Sequence, residues 1–253
     1  MGSKFTIRKE IKIAVVLVGL SFLIAFAERK QGGSVCKNIL VEIDNLNENH
    51  FLDEADVLQL VEGSGETIKG IGIDRINLKQ IEKKLKYDKH ILDAELFGDL
   101  KGNLIVNVEL RRPIARIVQK DAPDAYIAED GVIMPVSEKY TSRVVLISGY
   151  VKPLLESEDL NKTEDGKQLM EMVEYVNADR FWSAQVAQLD IERDGKINIF
   201  PQVTGQRVEF GRAENIETKF KKLMIFYKEI LPTRGWTKYE RVNLEYEGQV
   251  IAE

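Results

Sequence analysis

From Ile13 to Ala27 the chain runs fifteen residues without a charge, in the stretch IKIAVVLVGLSFLIAFA that begins at Ile11, and no other part of the sequence does this. A helix rises about 1.5 Å per residue, so the uncharged run alone reaches about 22 Å against a bilayer core of about 30 Å. A helix that starts near Ile7, with Lys9 and Lys12 extending their charged ends toward the headgroups, makes up the deficit, as does local thinning of the bilayer. Lys4, Arg8, Lys9 and Lys12 precede the run against the single Glu10, which places the amino terminus in the cytoplasm. A basic leader, a short apolar region and Ala25-Phe26-Ala27 before Glu28 also match a cleaved signal peptide. A buried core helix fits less well, because the run carries no polar face. Anchor and leader alike export everything from Glu28 onward and differ in whether that body stays tethered.

The exported part has the composition of a folded body, since 44% of the chain is hydrophobic and 30% charged. Residues 1–12 carry four positive charges and one negative, so of the formal net charge of -5 the rest of the chain bears -8. An acidic body argues against nucleic acid, whose phosphates need a basic face. The single cysteine, Cys36, cannot form an internal disulfide. Its place just past the apolar segment predicts a thiol outside any core, open to pairing with another chain. The length suits two domains better than one.

Residues 28–38 (ERKQGGSVCKN) are polar, contain glycine and lack periodicity, as a linker would. Ile39 to Asp44 reads as a strand and Asn45 to Asn49 as a polar turn. Asp53 can cap a first helix whose apolar face is Val57, Leu58, Leu60 and Val61. After a glycine-rich loop, Glu62 to Gly72, Asn77 can cap a second helix with Leu78, Ile81 and Leu85 at helical spacing. Ile91 to Phe97 and Asn103 to Arg111 follow as strands, the second with Leu104, Val106, Val108 and Leu110 alternating toward one buried face.

Beyond Ala115 the pattern is mainly β. Ala125 to Ala128, Val132 to Met134 and Val144 to Ile147 read as strands, with Asp130-Gly131 as a turn, and Ser148 to Leu160 reads as a loop. A helix over Asp165 to Asn177 offers Leu169, Met170, Val173 and Val176 inward. Gln188 to Phe200 reads as a hairpin with a two-residue turn at Asp194-Gly195, and Gln206 to Phe210 continues the sheet. From Glu214 to Leu231 the steps Ile216, Phe220, Leu223, Tyr227 and Ile230 predict a covering helix. Tyr239 to Glu253 reads as a final strand with Val242, Leu244 and Tyr246 inward.

The order strand, helix, helix, strand, strand after an apolar segment resembles a POTRA domain. Val108-Glu109-Leu110-Arg111-Arg112-Pro113-Ile114-Ala115 resembles the "E-R-x-P-x-A" stretch that closes that domain in the bacterial division proteins FtsQ and DivIB, although a proline that ends a central strand is compatible with any fold. "Y-I-A-E-D-G-V-I-M" and "I-S-G" are similar to the hairpin and the strand end in the second domain of that family. The last stretch, from Tyr239, resembles the "V-D-L-R-Y-x-x-Q-V-V" strand that ends it, with Asn243 in place of an acidic residue and Glu245 in place of an arginine.

The resemblance implies an α+β chain: a cytoplasmic tail (1–10), a transmembrane helix (11–27), a linker (28–38), a β-α-α-β-β POTRA domain (39–115) and a mostly antiparallel β domain with covering helices (116–253). It implies a single-pass scaffold of the inner, cytoplasmic membrane at the division septum, with the bulk of the chain extracytoplasmic. Its partners would be FtsB/DivIC-like and FtsL-like bitopic division proteins and other divisome components. Through them it would help regulate septal peptidoglycan synthesis. In the family the terminal strand and a neighbouring helix face bind the partner, which nominates Leu244, Tyr246, Glu247, Gly248, Gln249 and Val250, with Lys219 and Lys222 as charged contacts. An edge strand there could accept a partner strand, with Gly248 as a bulge or simply a turn.

Two other readings stand beside this one. A POTRA-containing envelope assembly or chaperone component predicts further POTRA repeats or a barrel, and none is visible in the sequence. A secreted cell-wall enzyme needs a catalytic set. His50 and His90 are isolated, there is no G-x-S-x-G elbow, phosphate loop or dinucleotide fingerprint, and carboxylates such as Glu156, Glu158 and Asp159 are what a 30% charged chain supplies by chance. No catalytic residue, cofactor or metal ligand is assigned.

Overall fold

The computed structural model describes residues 16–22, 35–65 and 67–253. Residues 16–22 are helical, and no helix among the described residues is long and apolar enough to cross a membrane. The span expected over 11–27 falls largely outside the described residues, as does the tail 1–10. The chain divides into two compact units, Met1–Glu48 with Leu52–Leu110, and Asn49–Phe51 with Arg111–Glu253.

The first unit follows the expected strand and helix order: β1 (Asn38–Ile43), α1 (Glu54–Glu62), α2 (Leu78–Leu85), β2 (Ile91–Gly98) and β3 (Asn103–Leu110). Asp53 caps α1 through a reciprocal box with Asp56, and the Asn77 side chain accepts from Gln80 N–H at the start of α2. The three strands lie in the order β1-β3-β2, β1 parallel and β2 antiparallel to β3. The alternating residues Leu104, Val106, Val108 and Leu110 are buried with Val57, Val61, Ile81 and Leu85, whereas Leu60 faces solvent.

Cys36 departs from its expectation, being 1% exposed within this core. The reason lies in the backbone: Cys36 N–H donates to Ile71 O and its carbonyl accepts from Gly70 N–H, which draws the segment before β1 inward. Burial pushes its thiol pKa up, so it is a poor nucleophile as well as an inaccessible one.

The second unit is one sheet of nine strands in the order β12-β11-β10-β9-β8-β7-β4-β5-β6. These are β4 (Pro113–Ile117), β5 (Ala125–Ala128), β6 (Ile133–Pro135), β7 (Val145–Gly149), β8 (Val186–Ile191), β9 (Ile197–Pro201), β10 (Arg207–Gly211), β11 (Arg241–Asn243) and β12 (Ile251–Ala252). Pro113, read from sequence as closing a strand, opens β4 in this sheet, where a missing N–H at the first residue does no harm.

Three neighbouring pairs are parallel, β4 with β7, β7 with β8 and β10 with β11; the other five are antiparallel. Parallel neighbours need crossovers: β4 and β7 are linked through β5 and β6, and the other two crossovers are helical. Between β7 and β8 come α3 (Lys152–Ser157), α4 (Glu164–Ala178) and α5 (Arg180–Gln185); between β10 and β11 come α6 (Ile216–Ile225), a π turn (Phe226–Ile230) and α7 (Leu231–Arg234). Their buried faces pack with Ile117, Ile147, Leu189, Ile199, Val208, Phe210 and Val242 in one core.

Four local expectations are corrected. The segment 148–160, read as a loop, contains α3, whose first turn tolerates Pro153. The helix α5, overlooked in the sequence, starts where Asp179 accepts from Phe181 and Trp182 N–H and places Trp182 in the core. The β8–β9 turn has three residues between Glu192 and Lys196, not two, with Gly195 at φ 81 in the left-handed region that such a turn requires. In the covering helix the π turn inserts a residue, so Leu231 is buried and Ile230 exposed.

Candidate functional site

The carboxyl-terminal segment does not form one strand. Arg241–Asn243 and Ile251–Ala252 are separate strands joined by the loop 244–250, paired antiparallel with Val242 opposite Ala252. β11 has neighbours on both sides, β10 and β12, and β12 is the last strand of the sheet. Arg241 and Glu253 exchange both backbone hydrogen bonds, at 3.1 and 2.9 Å. Antiparallel pairs alternate between bonded and non-bonded, so the next residue, Ala252, turns its N–H and C=O away from β11 along the outer margin.

A charged network stiffens this end. Glu209 on β10 accepts from Arg207 at 2.8 Å, from Asn243 at 2.7 Å and from Arg241 at 3.4 Å, and Arg241 also binds the Glu253 carboxylate at 2.6 Å. Burial alone would raise the Glu209 pKa, but the bonds from Asn243 and Arg207 and the charge of Arg241 outweigh it and hold the carboxyl below its ordinary value. Glu253 raises the Arg241 pKa.

The two departures from the resembled strand therefore have uses within the chain. Asn243 donates to Glu209 and accepts from Glu245 N–H, and Glu245 pairs with Lys196 at 3.1 Å.

Of the residues nominated from sequence, Tyr246, Glu247, Gly248 and Gln249 lie exposed in the loop, and Val250 is half-buried against the core. Tyr246, expected inward, is 52% exposed, because the strand ends before it. Gly248 sits at φ 71 with open space around it, so it serves a turn and not a close approach. Leu244 is fully buried in the core, which removes its side chain from any surface.

Lys222 turns inward on the loop, its ammonium donating to the carbonyls of Leu244 at 2.9 Å, Tyr246 at 2.7 Å and Gln249 at 3.4 Å. Lys219 donates to Arg212 O at 2.8 Å and lies 4.7 Å from the centre of the Phe210 ring; desolvation lowers its pKa. The structure thus gathers Tyr246 to Val250 with Lys222, and it adds Arg241, Glu209, Ala252 and Glu253, which were not anticipated. Two short apolar runs on either side of Glu247-Gly248 were the available signal for a hairpin there.

Elsewhere on this unit Ser148 Oγ donates to Asp190 at 2.5 Å and accepts from Gln188 at 2.7 Å, an arrangement without the imidazole that activates a serine. His90 Nδ1 is 3.0 Å from Asp88, and His50 stands edge-on to Tyr140. Among the described residues no group of three or more His, Cys, Asp or Glu could hold a metal ion.

Comparison with known families gives two matches: "FtsQ/DivIB, C-terminal related" over residues 112–253 and "POTRA-like domain" over residues 34–109. No curated protein matches the chain.

Proposed function

The chain belongs to the FtsQ/DivIB family of bacterial cell division, and from that premise we propose that it is a non-enzymatic division scaffold that accepts a strand from a partner along β12. The partner is a bitopic division protein of the FtsB or DivIC type, joined by an FtsL-type protein and other divisome components, and the assembly tunes septal peptidoglycan synthesis. Residues 11–27 hold the chain in the cytoplasmic membrane with residues 1–10 inside and the two domains outside, and the linker expected over 28–38 ends before Cys36, which is buried in the first unit. The observation that carries this reading is the position of β12 at the end of the sheet with the Ala252 amide and carbonyl turned outward. Main-chain bonds of that kind give affinity to an added strand, and side chains beside it give specificity.

Tyr246, Glu247, Gln249 and Val250 flank the margin and form the side-chain contacts, Gly248 turns the chain between them, and Lys222 holds their loop in shape. The family match over the second unit favours this reading above a general envelope chaperone built on a POTRA domain.

Hydrogen–deuterium exchange on the full chain, with and without a peptide from the partner's extracytoplasmic segment, tests the reading. New protection should appear at residues 250–253, and Tyr246→Ala should weaken binding by tenfold or so while leaving the melting curve unchanged. Protection confined to the β6 end, or none at all, overturns it.

A further inference from the structure

On the face of the first unit's sheet that turns away from α1 and α2, cross-strand register sorts side chains into rows. Leu40 stands opposite Ile105 and Ile105 opposite Phe97, so one apolar row crosses all three strands; Leu40 is 44% and Phe97 50% exposed. The next row is Glu42, Asn107 and Glu95. Beyond it Asp44, held to β3 through its N–H to Val108 O, continues toward the directly opposed pair Glu109 and Asp93. Successive rows on one face are about 7 Å apart.

Both halves of this face are unfavourable in isolation. Like charges directly opposite one another destabilise a sheet, and here Asp93 faces Glu109 while Glu42 and Glu95 flank a single asparagine. Lys86 pairs with Asp93, which raises the lysine's pKa, but Glu42, Glu95 and Glu109 make no ion pair among the described residues. Asn107 donates to Asp44 at 3.4 Å, and its Oδ1, buried at the middle of the acidic row, accepts no hydrogen bond among the described residues. Beside these carboxylates two large apolar side chains are left in water.

We infer that this open face is a docking surface for a basic amphipathic helix of another protein, its apolar stripe laid on Leu40, Ile105 and Phe97 and its Lys or Arg side chains reaching Glu42, Glu95 and Glu109. A helix on the bare side of a sheet completes the layer that α1 and α2 make on the other. Lys and Arg stems span the distance from the apolar row to the acidic one. An anionic membrane surface is repelled by the same carboxylates, and a second copy of the chain would bring acid against acid. This surface belongs to the first unit and does not depend on the β12 margin.

The test uses the full chain in zwitterionic nanodiscs, with empty nanodiscs as the blank, and two helical peptides of one pattern, Leu with Lys and Leu with Glu. The Leu/Lys peptide should bind and the Leu/Glu peptide should not. Leu40→Ser with Phe97→Ser should weaken binding about tenfold, as should Glu42→Gln with Glu95→Gln, and added salt should weaken it further. Glu171→Gln with Glu174→Gln, on the exposed side of α4, should change nothing. A photo-crosslinker at position 97 should capture the peptide and one at Tyr87, which is 69% exposed, should not.

Equal binding of both peptides, loss with only one of the two facial pairs, or equal loss with the α4 pair overturns the inference. So does a finding that Leu40→Ser with Phe97→Ser merely abolishes self-association. Circular dichroism and melting of each variant separate lost binding from lost fold.

Discussion

At its β6 end the nine-stranded sheet is closed by its own chain, whereas at its β12 end it stops. Ile133 N–H donates to Glu158 O, Val132 bridges Asp159, Leu160 N–H reaches Gly131 O, and the last residue of β6 is Pro135, which has no N–H to offer. Beneath that strand Met134 and Tyr126 are sealed with Phe51 in a small core of their own. At the other end β12 is two residues long, and the turn that delivers it is held from one side by Lys222. Natural sheets cover or blunt their edges because a bare one recruits strands without discrimination. A chain that seals one margin with a bridge, a proline and an aromatic cluster, and leaves the other to a short strand, distinguishes the two. The difference supports the proposal that a guest strand completes the sheet at the β12 end.

The largest effect separates the two ends by destroying one of them. Phe51 is 1% exposed with its ring 5.1 Å from that of Tyr126 and 5.2 Å from that of Tyr140. Phe51→Ala should cost about 3–5 kcal/mol, read from the denaturant midpoint. Binding of a partner strand, corrected for the folded fraction, should be unchanged; a parallel loss would break the comparison by showing that the ends are coupled. Ala252→Pro acts in the opposite sense. It removes an N–H that the β11 ladder does not use, so stability should fall by less than about 1 kcal/mol while strand binding drops about tenfold or more. Unaltered binding would show that the margin is not the site. Lys222→Met should be intermediate in kind: it frees three carbonyls at a partly exposed site, costing about 1–2 kcal/mol, and raises amide exchange in the loop 244–250.

What was legible in the sequence was whatever depends on local periodicity. The first unit's two capped helices and its alternating β3 follow from Asp53, Asn77 and the Leu104 to Leu110 pattern, and their order carried the family resemblance as well. The second unit hid more, because its sheet is built from short strands whose neighbours are distant in sequence. Nothing local announces that β10 runs parallel to β11 or that β7 lies between β4 and β8. The candidate site shows the same division. Resemblance nominated its stretch, but the loop that breaks the last strand, and with it the exposure of Tyr246 and the burial of Leu244, involves Lys222 on a helix more than twenty residues earlier. The extra residue of the π turn in the covering helix likewise leaves no periodic trace, since it shifts the period itself.

The smallest effect concerns protons. Glu209 lies on β10, two strands in from the β12 margin and linked to it through Arg241, and its carboxyl titrates below its ordinary value of 4.5. For an acid whose folded pKa is depressed, the contribution to stability is complete above the unfolded value and is lost as pH falls through the folded one. The β12 end should therefore keep its full stability from neutrality down to about pH 5 and weaken progressively below that. Arg207 and Arg241 are both partly open to water, so the loss should stay under about 1 kcal/mol. Glu209→Gln should be less stable than the parent at neutral pH, and the gap should narrow as the parent's own carboxylate is protonated. Unfolding midpoints measured for both chains between about pH 7 and pH 3 read that convergence directly. Parallel curves across the whole range would mean that the Arg207, Arg241 and Asn243 contacts do no net electrostatic work. The short β12 strand would then be held by its ladder bonds and the Lys222 clamp alone.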